Sequence, residues 1–72
     1  MATIDKNKII YPDHVIVFDE ALVSKFKEEE FPGYMEDMVS WLTPDGSAED
    51  HEQELDDMNN DGSWTVVKTG AV

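Results

Sequence analysis

Apolar positions along the chain change their spacing at Asp19 and again after Gly62. From Ile4 to Phe18 they are β-branched and aromatic and come in short runs, Ile9-Ile10-Tyr11 and Val15-Ile16-Val17-Phe18, parted by Pro12-Asp13-His14. Runs of this kind predict strands. Pro12 has no N–H to give to a ladder, so it marks an edge, a bulge or a short turn between the two segments. The four-residue run predicts a strand covered on both faces, or on one face with the other partly sheltered. Asp5-Lys6-Asn7-Lys8 reads as a hairpin turn after a short strand at Ala2 to Ile4.

From Asp19 the spacing is helical. Asp19 suits an N-cap, Glu20 the first turn, and Leu22, Val23 and Phe26 form an apolar patch. The run Glu28-Glu29-Glu30 then falls at a helix C-terminus, where negative charge opposes the helix dipole and predicts fraying. Phe31-Pro32-Gly33 reads as a break. Met35, Met38, Val39 and Leu42 lie at i, i+3, i+4 and i+7, so Tyr34 to Leu42 is the expected core helix, with Tyr34 and Trp41 flanking its stripe. Thr43-Pro44-Asp45-Gly46 is a turn. Ser47 followed by Asp50 resembles a capping box opening another helix.

That last helix, Ser47 to Asp61, is where the chain concentrates its charge. Seven of its fifteen residues are Asp or Glu and none is Lys or Arg. At 100° per residue, Ala48, His51, Leu55 and Met58 share one narrow arc, and carboxylates occupy the rest. Asn59-Asn60-Asp61-Gly62 closes the helix. Ser63 to Thr69 then alternates Trp64, Val66 and Lys68 against Thr65, Val67 and Thr69, as a strand does. The expected fold is a small single α+β domain over residues 1–72, β(β)-α-α-α-β, with a two- to three-stranded sheet, helices on one face and terminal strands able to pair.

Composition narrows the function. The 72 residues carry 17 Asp and Glu against five Lys, a formal charge of −12, where a magnitude of roughly 2 to 8 keeps a small domain soluble. Residues 1–18 hold two acids and two lysines, whereas residues 19–61 hold fifteen acids and two lysines. Such a chain is not expected to bind nucleic acid or an anionic membrane directly. Its expected partner is a host protein with a basic, nucleic-acid-binding surface. There is no cysteine, no apolar run of 18 residues and no signal-peptide pattern, so a cytoplasmic protein without disulfides is expected.

Catalytic chemistry finds no foothold in these residues. There is no nucleophile in a recognisable setting and no phosphate-binding glycine loop, and carboxylates this abundant carry no specific acid–base meaning. No enzyme activity and no cofactor are expected. Asp57 to Gly62 matches D-x-N-x-D-G, the front half of a calcium loop, but Lys68 stands where a bidentate Glu is needed, and Asn-Asp-Gly is also an ordinary turn. A weak cation-binding module is the third-ranked reading, with no metal site assigned. His14 reads as a strand-edge residue and His51 as a helix-edge residue.

The acidic helix is the best candidate for function. Asp50, Glu54, Asp57 and Asp61 recur as a stripe expected to lie opposite the docking arc, at an axial spacing of about 4.5–6 Å. Phosphates along a strand recur about every 3.4 Å axially, with a longer contour spacing, so the stripe can imitate them. The expected partner contacts are Glu49, Asp50, Glu54, Asp57 and Asp61, with Glu28, Glu29, Glu30, Glu36 and Asp37 as a second patch and Trp64 as an exposed aromatic anchor. The leading expectation is an inhibitor or regulator of the phage or mobile-element kind, a nucleic-acid mimic. The alternative is an assembly adaptor that binds by a strand edge or apolar surface.

Overall fold

The computed structural model describes residues 2–58 and 63–69. Strands β1 (Thr3–Asp5), β2 (Lys8–Ile10) and β3 (His14–Phe18) are followed by helices α1 (Glu20–Val23), α2 (Phe31–Trp41) and α3 (Ala48–Met58), and then by β4 (Trp64–Lys68). The α+β class is as expected. Among the described residues the sheet has four strands, not two or three, in the order β1-β2-β3-β4, with every neighbouring pair antiparallel. The terminal strands β1 and β4 are opposite edges and do not pair. The hydrophobic run Val15–Phe18 makes β3 the better-buried neighbour, so β4 pairs with it, Ile16 opposite Val66 and Phe18 opposite Trp64.

Two tight turns make the first three strands a meander. Lys6 takes a left-handed φ of 55° in the β1–β2 turn, which the two-residue hairpin demands. Asn7 Nδ2 and its carbonyl then bind the carbonyl and amide of Phe18, at 2.6 and 2.9 Å. At the next turn the amide of Tyr11 donates to the carbonyl of His14 at 2.8 Å, with Pro12 between them as a turn residue.

Alternation along the strands sorts the sheet into two faces. Ile9, Ile16 and Phe18 are buried on one face, where they pack with Leu22, Phe31, Met35, Met38, Leu42 and Leu55 from the helices and the α2–α3 junction, and His14 is buried on the same face. The other face shows Lys8, Ile10, Thr65 and Val67 exposed and Val15 and Val17 partly covered. The run Val15–Phe18 is therefore covered on one face and sheltered on the other, the second of the two expectations.

Helix boundaries moved in one instructive place. α1 is a single turn, and α2 begins at Phe31, three residues before the expected Tyr34, with Pro32 in its first turn. Phe31-Pro32-Gly33 is a helix start and not a break, because an N–H in the first turn has no intrahelical partner for proline to forfeit. Glu28, Glu29 and Glu30 accordingly precede a helix N-terminus, where negative charge is favourable, instead of trailing a C-terminus. Phe26, Phe31 and Tyr34 stack beneath this junction, with ring centroids 4.6 to 6.0 Å apart. Among the described residues, no helix is long and apolar enough to cross a membrane.

Candidate functional site

α3 has little intrinsic reason to form, since an eleven-residue helix rich in Asp is marginal in water. It is held at its start by the expected capping box: Asp50 N donates to Ser47 Oγ, and Ser47 N donates to Asp50 Oδ2, both at 3.2 Å. It is held along its length by Ala48, His51 and Leu55, all buried, and by Met58 at the edge of the core. The docking arc is thus the one expected.

The stripe of carboxylates lies beside that arc and not opposite it. Glu54 is only 40° from Met58 on the helical wheel, close enough to grip the α2–α3 loop. Its carboxylate accepts from Thr43 N at 3.1 Å and from Thr43 Oγ1 at 2.5 Å. Asp50, Glu54 and Asp57 line one shallow cleft together with Thr43 and Gln53. On the other flank, Glu49 accepts from Lys68 Nζ of β4 at 2.6 Å. That bond holds Glu49 below the usual carboxylate range and raises Lys68. Of the expected contacts on α3, Asp57 is exposed with no structural bond described, Asp50 is also a cap, and Glu49 and Glu54 are tied to the protein itself. Asp61 lies outside the described residues, as does most of the Asp57 to Gly62 stretch.

Members of the second acidic patch border two different depressions. Glu28, Glu29 and Glu30 are exposed ahead of α2, and Glu28 shares a depression with Ile4, Val23 and Pro32. Asp37 borders a separate apolar groove with Trp41. Trp64, expected as the exposed anchor, is half-buried and packed against the core. Pairing opposite Phe18 puts it on the helix-covered face. The exposed aromatic is Trp41, at 69%.

Beneath α3 the structure reveals a feature that sequence reasoning placed at two separate edges. His14 and His51 are both fully buried, and His14 Nε2 lies 2.7 Å from His51 Nδ1. The chain continues at both ends, from His14 Nδ1 to Asp13 Oδ1 at 2.5 Å and from His51 Nε2 to the carbonyl of Thr43 at 2.7 Å. Tyr11 stacks on His14, ring centroids 4.7 Å apart and planes within 6°, and lies 4.4 Å from His51. Burial, and next the charge of Glu54, raise the Tyr11 phenol above its ordinary value. Among the described residues no buried side-chain nitrogen or oxygen lacks a hydrogen-bond partner, as a buried polar network requires. His51 could have been placed inside from the sequence, because it shares the arc of Ala48 and Leu55; His14 gave no such sign.

The bonding pattern of this chain constrains its protons. A carbonyl can only accept, so His51 Nε2 carries hydrogen, and a neutral His51 then offers its Nδ1 lone pair to N–H on His14 Nε2. With their nitrogens engaged in this way, the two rings serve as a clasp between β3 and α3, and no group of three or more side chains suited to hold a metal ion exists among the described residues. No family model matches the chain, and neither the curated proteins nor the solved structures contain a match.

Proposed function

We propose that this protein is a small acidic binding module, an inhibitor or regulator that occupies a basic, nucleic-acid-binding surface of another protein. The observation that carries this reading is the placement of the carboxylates. A formal charge of −12 on 72 residues is set largely on and around two helices whose undersides are fixed by core packing, the second also capped by hydrogen bonds at its start. Self-repulsion of that size costs stability, and ordering the charge adds to the cost, so a use for it in recognition accounts for its retention. Five lysines cannot neutralise it. The attraction is long-ranged and salt-sensitive, with a screening length of about 8 Å at physiological ionic strength.

The side chains best suited to a partner are Asp57, Asp56, Glu36 and Asp37, which are exposed on α3 and α2. Asp50 contributes from the cap. An affinity capture from lysate over a salt gradient, run in parallel with an Asp56→Lys/Asp57→Lys variant, tests the reading. A basic protein retained at low salt and lost in the variant is expected. Retention unaffected by both salt and charge reversal overturns it.

A second reading, an assembly adaptor, has one observation in its favour. Ile10 and Val67 stand 37% and 46% exposed on the uncovered sheet face, and Val15, which pairs with both, lies between them. Such a face suits docking against another apolar surface. It predicts an association that salt leaves unchanged.

A further inference from the structure

Trp41 ends α2 with 69% of its surface exposed, well above any other large apolar residue described. It does not stand alone. With Leu22, Tyr34, Met38 and Met58 it lines a groove of about 340 Å³, whose one charged lining residue is Asp37. Two methionines give such a groove walls that reshape around an entering side chain. A tryptophan on the rim offers an apolar body as well as a ring face that attracts cations.

The groove and the carboxylate cleft of α3 are lined by residues close together in the chain. Trp41 and Met58 line the one, while Thr43, two residues after Trp41, and Asp57, the residue before Met58, line the other with Asp50 and Glu54. An apolar slot and an acidic slot thus draw on the same two stretches of chain, residues 41–43 and 57–58. Charge decides what can fill them. Another copy of this chain brings its own −12 to the meeting, and so does any anionic surface, whereas a cationic segment gains from every neighbouring carboxylate.

We propose that this double groove docks a basic amphipathic segment of the partner protein, seating an apolar side chain against Trp41, Met38 and Met58 and laying lysines or arginines along Asp37, Asp50 and Asp57. The inference rests on the electrostatic reading above and adds an apolar anchor to it, the usual arrangement of a buried hot spot ringed by polar contacts.

Two synthetic peptides of equal length and lysine content test it, one with leucines along the opposite helical face and one with serines in their place. Binding is measured by calorimetry with the full chain and with Trp41→Ala, whose exposure makes a folding defect unexpected. The leucine peptide is expected to bind about tenfold more tightly than the serine peptide, and Trp41→Ala to erase most of that factor while leaving the serine peptide within about twofold. Equal affinity for the two peptides, or a preference that survives Trp41→Ala, overturns the docking groove and leaves the electrostatic reading standing. Failure of both peptides to bind even at low salt overturns both readings. Self-association of the protein that Trp41→Ala abolishes assigns the groove to a second copy and overturns the inference.

Discussion

His14 and His51 stand 37 residues apart in the chain and 2.7 Å apart in the fold, ring nitrogen to ring nitrogen, both fully buried. They fasten the start of β3 to the first half of α3, and through the Thr43 carbonyl they fix the loop that delivers α3 to the sheet. A helix with few apolar residues therefore has a polar attachment to supplement Leu55. Removing one ring leaves the other with an orphaned, buried nitrogen, which makes this contact sensitive to substitution.

His51→Leu is accordingly expected to destabilise the protein by about 2–3 kcal/mol, as buried donors and acceptors lose their partners. His14→Leu is expected to cost a similar amount, and the double variant less than the sum by about 1–2 kcal/mol, the signature of direct coupling. Urea denaturation of the four proteins of this cycle gives the answer. Additive costs would mean that the two rings are held independently.

Gly46 predicts a steric route to the same clasp. A Cβ built there would lie 2.7 Å from His51 Nε2, 2.8 Å from Cδ2 and 3.2 Å from the Thr43 carbonyl. A buried ring bonded on both sides cannot swing away as a flexible chain end could, so Gly46→Ala should cost about 1–3 kcal/mol. Gly33, with nothing within 4 Å of its Cβ position, is the control: Gly33→Ala sits in the first turn of α2 and should leave stability equal or slightly higher. Thermal unfolding of the two variants compares them directly.

Tyr11 sets an alkaline limit. Its phenol is raised above the ordinary 10.0 by burial first and by the Glu54 charge second. A raised value means that the folded state keeps a proton which the unfolded state has already released. The corresponding stability is whole below about pH 10 and drains away as pH rises through the folded value. Stability measured from pH 9 to 11 should fall more steeply for the natural protein than for Tyr11→Phe, and tyrosinate absorbance should show one of the two tyrosines titrating late.

Two carboxylates in one cleft should behave differently when reversed. Glu54→Lys removes the acceptor for Thr43 N and Thr43 Oγ1 and is expected to cost about 1–3 kcal/mol. Asp57→Lys, on an exposed residue with no bond described, should leave the urea midpoint unchanged or raise it by easing self-repulsion. Asp57 is consequently the cleaner probe of partner binding, and a loss of binding at Asp57→Lys with stability retained separates recognition from folding.

What the sequence by itself determined about this protein is what local physics encodes. The change from strand-like to helical spacing at Asp19, the hairpin at Lys6-Asn7, the capping box of Ser47 and Asp50, and the apolar arc of α3 each depend on neighbours within about four residues, and each stands where the pattern placed it. The excess of carboxylates needs no fold to be seen. Tertiary structure decided which elements meet. Pairing β4 with β3 turned Trp64 toward the helices and, with β1 at the far edge, made the sheet four-stranded. Tertiary packing left Trp41 in the open, and docking α3 converted two histidines read as edge residues into one buried clasp. Those outcomes rest on contacts between residues tens of positions apart, whose energies are comparable for several pairings until the whole core closes. A carboxylate's identity is written in the chain, but whether it grips Thr43 or faces solvent depends on where the next helix lands.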